Sequence, residues 1–151
     1  LMIRKYGLPT QVVLSSFGGY AMYPSGILNR LQSFLVTAAG PGIQLFVGLA
    51  LLFGLPYLEI PSTGLDQFLG TFIVISIFWS LLNCLPVYPL DGGQMLGAVL
   101  GPRRQAGLHL TSLIVAVVMA VVALIYGHPI GVIFMGMYGF QNFKLWQQHQ
   151  N

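Results

Sequence analysis

Asn83-Cys84-Leu85-Pro86-Val87-Tyr88-Pro89-Leu90-Asp91-Gly92-Gly93 closes an apolar run long enough to cross a membrane, and closes it with two helix-breaking prolines and a carboxylate. An ionised Asp at the bilayer centre costs about 3 kcal/mol or more, so it needs a proton, a partner or a metal. Asp91 is one of only three acidic residues in a chain of 151. Pro86 and Pro89 each remove a backbone donor and turn the preceding residue, Leu85 or Tyr88, away from α geometry. A helix arriving through Asn83 should therefore break here and restart near Leu90.

The composition fits that reading. The chain is 56% hydrophobic and 6% charged, with mean hydropathy +0.79, against about 25% charged in soluble domains. These values describe an integral membrane protein bathed in a lipid bilayer. A net charge of +3, scattered along the chain, does not suggest a nucleic-acid partner. The single cysteine, Cys84, cannot form an internal disulfide and reads as a small packing residue within an apolar run. Nineteen glycines in so apolar a chain point to helices packed closely through small residues.

The apolar runs predict a mainly α, polytopic helical bundle of about three to four spans, forming one membrane-embedded domain over 1–151. Spans are expected at 31–55, 68–90 and 108–126, the first interrupted by Gly40-Pro41-Gly42. Residues 129–143 form a shorter apolar segment, better suited to a re-entrant or interfacial helix than to a crossing. Arg4, Lys5 and Arg30 precede the first span, and Arg103 and Arg104 follow the second. Glu59 and Asp66 lie between the two. The positive-inside rule then puts 1–30 and 101–107 in the cytoplasm, as expected for a multi-pass protein of a cell (inner) membrane. Trp79, in mid-span, should pack within the bundle, and Trp146 with Lys144 should anchor at the interface.

Two N-terminal segments differ from the spans. Residues 1–7 read as the last turn of a helix, with Arg4 and Lys5 on the negative end of the dipole, Gly7 as cap and Pro9 beyond it. No basic-then-apolar signal peptide is present and the chain opens on Leu1, so it reads as N-terminally truncated. Residues 10–24 are rich in β-branched and aromatic types around Gly18-Gly19 and predict a short interfacial β-hairpin.

Together, Arg4-Lys5-Tyr6-Gly7, Phe17-Gly18-Gly19-Tyr20, Ala39-Gly40-Pro41 and Asn83 through Gly92 resemble, in order, motifs of the site-2 protease family of intramembrane zinc metalloproteases. The family's His-Glu-x-x-His is absent, and family spacing would put it immediately before Leu1. Gln44 stands where many relatives have Asn.

The resemblance implies a zinc endopeptidase that cleaves peptide bonds in or beside transmembrane segments of its protein substrates. A hydrolytic zinc site takes about three protein ligands and leaves one position for water. The resemblance assigns the third ligand to Asp91, with two histidines and the general-base Glu expected upstream. It makes Asn83 a polar partner for a substrate or transition-state oxygen, although an interhelical hydrogen bond would explain Asn83 equally. It also assigns substrate presentation to a strand edge including Val12, Val13, Leu14, Gly18 and Gly19, where an extended peptide could pair. The fragment alone should be inactive.

Other readings stay open on the residues alone. Asp91 could simply cap a helix within a Pro-Pro-Asp-Gly-Gly turn. The chain could be a noncatalytic relative that binds transmembrane helices, or a small transporter with Asp91 as an ion or proton site. His109 and His128, 19 residues apart on one span, cannot share a metal. With His149 in the polar tail, all three read as interfacial or solvated.

Overall fold

The computed structural model describes residues 11–15, 18–22, 28–57 and 62–150, with side chains from residue 28 onward. Helix α1, Arg30–Gly54, opens on a capping box. The Asn29 side chain accepts from the Gln32 amide at 2.8 Å, and the Gln32 side chain accepts from the Asn29 amide at 3.0 Å. The helix carries Pro41 in its interior without stopping and ends in a 3-10 turn, Leu55–Tyr57. Helix α2 is Thr63–Asn83, α3 Asp91–Leu100, α4 Gln105–Ile125 and α5 Pro129–Gln148. A 3-10 turn, Pro102–Arg104, links α3 to α4.

Three stretches, Arg30–Tyr57, Thr63–Asn83 and Pro102–Ile125, are long and apolar enough to cross a membrane. Two expected boundaries are corrected. The second span starts at Thr63, which puts Asp66 in the first turn of α2, where the positive end of the dipole favours it. The span ends at Asn83, before the first proline, and not at Leu90. Residues 129–143 prove to be part of a helix of 20 residues, α5, or roughly 30 Å. Gln141, Asn142 and Lys144 lower the hydropathy there without ending the helix.

Among the described residues, Gln11–Ser15 pairs antiparallel with Gly18–Met22, Val12 lying opposite Ala21 and Val13 opposite Tyr20. The pair forms no sheet with any other described element, so the architecture is helical. The side chains of the expected interfacial hairpin, and residues 1–10, lie outside the described residues.

Helix α1 packs against both α2 and α3, and α4 and α5 lie along each other, joined to the rest through α3. The buried apolar core is small, consisting of Ile73, Val87, Leu108, Ala116 and Met135. Phe46 and Val74, by contrast, are 72% and 67% exposed, which suits a surface facing lipid. Helices α1 and α2 are tied where the buried Ser80 hydroxyl donates to the Pro41 carbonyl at 2.7 Å. Ser80→Ala should lower stability by about 1 kcal/mol. A melting point unchanged from wild type would show that the bond carries no weight.

The α4–α5 turn is set by sequence. Gly127 takes φ +69°, its amide bonds to Leu124 O at 3.1 Å, and the His128 amide reaches Ala123 O at 2.8 Å. These are the two bonds of a Schellman cap, which needs a residue in the left-handed region. Pro129 then occupies the first turn of α5, where its missing donor does no harm.

Candidate functional site

The break between α2 and α3 positions the residues of interest. After Asn83 the chain passes through short-range turns, with Leu85 N to Leu82 O at 3.1 Å, Val87 N to Leu85 O at 2.7 Å and Leu90 N to Val87 O at 2.8 Å. The Tyr88–Pro89 peptide is cis, and Val87, fully buried, pins the loop to the core. The helix restarts at Asp91, and Gln94 N to Leu90 O at 3.0 Å is its first bond. The Gln94 side chain donates back to Pro89 O at 3.1 Å.

The cap residue is Leu90, and Asp91 is the first residue inside α3. No hydrogen bond to a described residue uses its carboxylate, so the reading of Asp91 as a simple N-cap is corrected. A carboxylate at this end of a helix meets the positive end of the dipole. Its Oδ2 lies 3.9 Å from where a Cβ on Gly40 would stand. The Ala39-Gly40-Pro41 stretch of α1 thus faces Asp91 with its smallest residue.

Gly92 and Gly93 are buried and held against the loop that precedes them. A Cβ on Gly92 would run into the carbonyls of Cys84 and Leu85, and one on Gly93 into Val87 and the Tyr88 amide. The backbone expected to approach these glycines is therefore the protein's own.

Tyr88 is held on both sides of its backbone. Its amide donates to Ser112 Oγ of α4 at 3.0 Å, and its carbonyl accepts from Asn142 Nδ2 of α5 at 2.6 Å. Asn142 Nδ2 also donates to Tyr138 O at 2.8 Å. With both amide hydrogens placed, Asn142 Oδ1 is the acceptor toward His109 Nδ1 at 2.9 Å, so His109 carries its proton on Nδ1. Ser112 and Asn142 are fully buried and His109 is 5% exposed.

The expectation that all three histidines are interfacial or solvated is corrected for His109. Its ring is buried, edge-on to Tyr88 at 5.6 Å and stacked with His149 at 5.5 Å. His128 and His149 are exposed. Ser112, His109 and Asn142 were not singled out as site residues from sequence. The available signal was polar side chains spaced along membrane-length helices, which must face a partner.

Asn83, the last residue of α2, lines an apolar cavity of about 590 Å³ between α2 and the α4–α5 pair, together with Trp79, Leu90, Met119 and Tyr138. Trp79 is 52% exposed along this cavity and is not packed inside the bundle. Cys84 is exposed and caps α2, so it is not an interior packing residue. Lys144 lies 4.5 Å over the Phe140 ring, and Trp146 packs beside Phe143. Val12, Val13, Leu14, Gly18 and Gly19 fall on the strand pair, outside the residues whose side chains are described.

Among the described residues no three His, Cys, Asp or Glu side chains come together. Asp91 offers one hard oxygen donor, which suits zinc as a single ligand, but one carboxylate cannot hold the ion. The remaining donors have to come from elsewhere.

Residues 58–127 match the model of peptidase family M50, the site-2 protease family, and this range contains the whole segment from Asn83 to Gly93. The resemblance drawn from the sequence is thereby borne out. Zinc metalloprotease MJ0392 of Methanocaldococcus jannaschii is 27% identical over 101 residues, covering 66% of this chain and 29% of that protein. YwhC of Bacillus subtilis, provisionally named a zinc metalloprotease, is 38% identical over 85 residues, covering 51% and 39%. The Synechocystis protein sll0528, provisionally named likewise, is 32% identical over 90 residues, covering 58% and 23%. The chain thus spans well under half the length of these curated relatives. No solved structure matches it significantly.

Proposed function

We propose that this chain is the membrane-embedded part of a zinc metalloendopeptidase that cleaves peptide bonds in or beside the transmembrane segments of other membrane proteins. The observation that carries the reading is Asp91 itself. Its carboxylate starts a helix at a break between apolar segments, faces Gly40 and accepts no hydrogen bond from a described residue. The family match over 58–127 supports the same reading.

In this reading Asp91 is the third zinc ligand, and a His-Glu-x-x-His helix outside the 151 residues supplies the other two and the general base. The chemistry such an ion supplies is activation of a water for peptide hydrolysis. This chain's own residues orient the carboxylate and exclude bulk water. The Gly92 and Gly93 contacts hold the loop against α3, and the apolar cavity beside Asn83 offers a dry surface to an apolar peptide. In this reading Asn83, which lines that cavity at the end of α2, donates to a substrate oxygen.

The reading is tested on purified full-length protein in bilayer discs. It should retain zinc and cleave a model transmembrane substrate, lose cleavage to a chelator and regain it with zinc. Cleavage indifferent to chelation would sink the proposal.

Membrane placement has its own test. In protein carrying Cys84→Ser, a bulky impermeant thiol reagent added from outside the cell should label Asp66→Cys, at the exposed start of α2, and leave Asp91→Cys unmodified. Equal labelling of the two would reverse or abolish the proposed topology.

A further inference from the structure

The polar groups around Tyr88 are unusual in this molecule for their burial and for where they come from. Ser112 lies 24 residues from Tyr88 in sequence and Asn142 lies 54 away, yet the two meet the amide and the carbonyl of this one residue. His109 completes the set by fixing which way the Asn142 amide points. In a low-dielectric interior each such bond is strong, and removing either partner leaves a buried polar group unsatisfied. Tyr88 stands three residues before Asp91, at the centre of the segment that re-aims the chain. Across the same break, α4 and α5 make these bonds to the loop, whereas α1 meets α3 at the carboxylate.

We propose that Ser112, Asn142 and His109 are positioning residues that clamp the Tyr88 backbone, and that through it the α4–α5 pair sets the place of the Asp91 carboxylate. The inference deepens the metalloprotease reading and rests on it for Asp91's role. The α4–α5 pair is then part of the site's framework as well as a membrane anchor. His109 acts at a distance, since a ring that donates from Nδ1 to Asn142 Oδ1 keeps both Nδ2 hydrogens on the Tyr88 and Tyr138 carbonyls.

The test uses full-length protein in bilayer discs with two readouts. Ser112→Ala removes one bond with almost no change of shape, Asn142→Leu removes the other side, and Met135→Ala loosens α4–α5 packing at a buried apolar residue without touching the clamp. Amide hydrogen exchange across 84–93 should rise at least about tenfold in the first two variants. In Met135→Ala it should stay near wild type there while rising within α4 and α5. In cobalt-substituted protein the first two should also shift the ligand-field absorption bands, and Met135→Ala should leave them in place.

Wild-type exchange across 84–93 in Ser112→Ala, or an equal rise there in Met135→Ala, overturns the clamp. Faster exchange with unmoved cobalt bands overturns the link to Asp91. If the wild-type protein takes up no cobalt, the metalloprotease reading fails. Exchange at the Leu90 and Gln94 amides, whose bonds to Val87 and Leu90 fix the start of α3, then decides the positioning claim alone: a rise supports it, and wild-type rates overturn it.

Discussion

Asp91→Asn in the full-length protein should leave the fold intact and abolish cleavage, with kcat/KM falling more than about a hundredfold. That figure is the upper end of what is lost when only a residue supporting a metal ligand is changed, so loss of a ligand must exceed it. The amide is nearly isosteric with the carboxylate, and no described residue hydrogen-bonds to the Asp91 side chain, so no internal bond is broken. An amide oxygen is a weaker zinc donor than a carboxylate, so zinc content should fall as well. Atomic spectroscopy of the purified variant and cleavage of a transmembrane substrate report the two effects separately. Wild-type cleavage would remove Asp91 from the metal site and take the proposed mechanism with it.

Among the described glycines, Gly92→Ala should be the most damaging single methyl, with Gly93→Ala close behind. The added Cβ meets backbone in both cases, Cys84 and Leu85 for the one and Val87 and Tyr88 for the other, and backbone cannot rotate away. Overpacking usually costs up to about 3 kcal/mol, and these sites should reach or pass that limit. Gly136→Ala, with nothing within 4 Å of the new methyl, is the matched control and should be close to neutral. Thermal unfolding of the three variants in one detergent orders them, and equal melting points would show that the loop shifts freely away from α3.

Much of this architecture can be read from local chemistry. Two prolines spaced three apart forecast a break, and the break runs from Cys84 to Leu90 as their missing donors require. The capping box at Asn29 and the Gly127-Pro129 turn are equally local. What stayed hidden depends on contacts distant in sequence. His109 at the head of an apolar span and Asn142 in a polar stretch each look like interfacial residues, because nothing within four residues shows that they face each other across 33 positions. The length of α5 was underestimated for a related reason. Hydropathy falls at Gln141, yet Asn142 is fully buried, so that drop marks an internal polar contact and not the helix's emergence into water.

The Asn142 bond to Tyr88 also has a consequence for how the protein is made. Its two partners are 54 residues apart, and a ribosome adding roughly 5–20 residues per second needs several seconds to cover that distance. Through that interval the nascent chain has α2 and the Asp91 segment in or near the bilayer while the Tyr88 carbonyl lacks its final partner. Ser112 emerges earlier and can meet the amide side, so the loop is half fastened before Asn142 has emerged. A product arrested after Ile125 and before Asn142 would carry the three membrane-length stretches described and still lack the bond that closes the Tyr88 carbonyl.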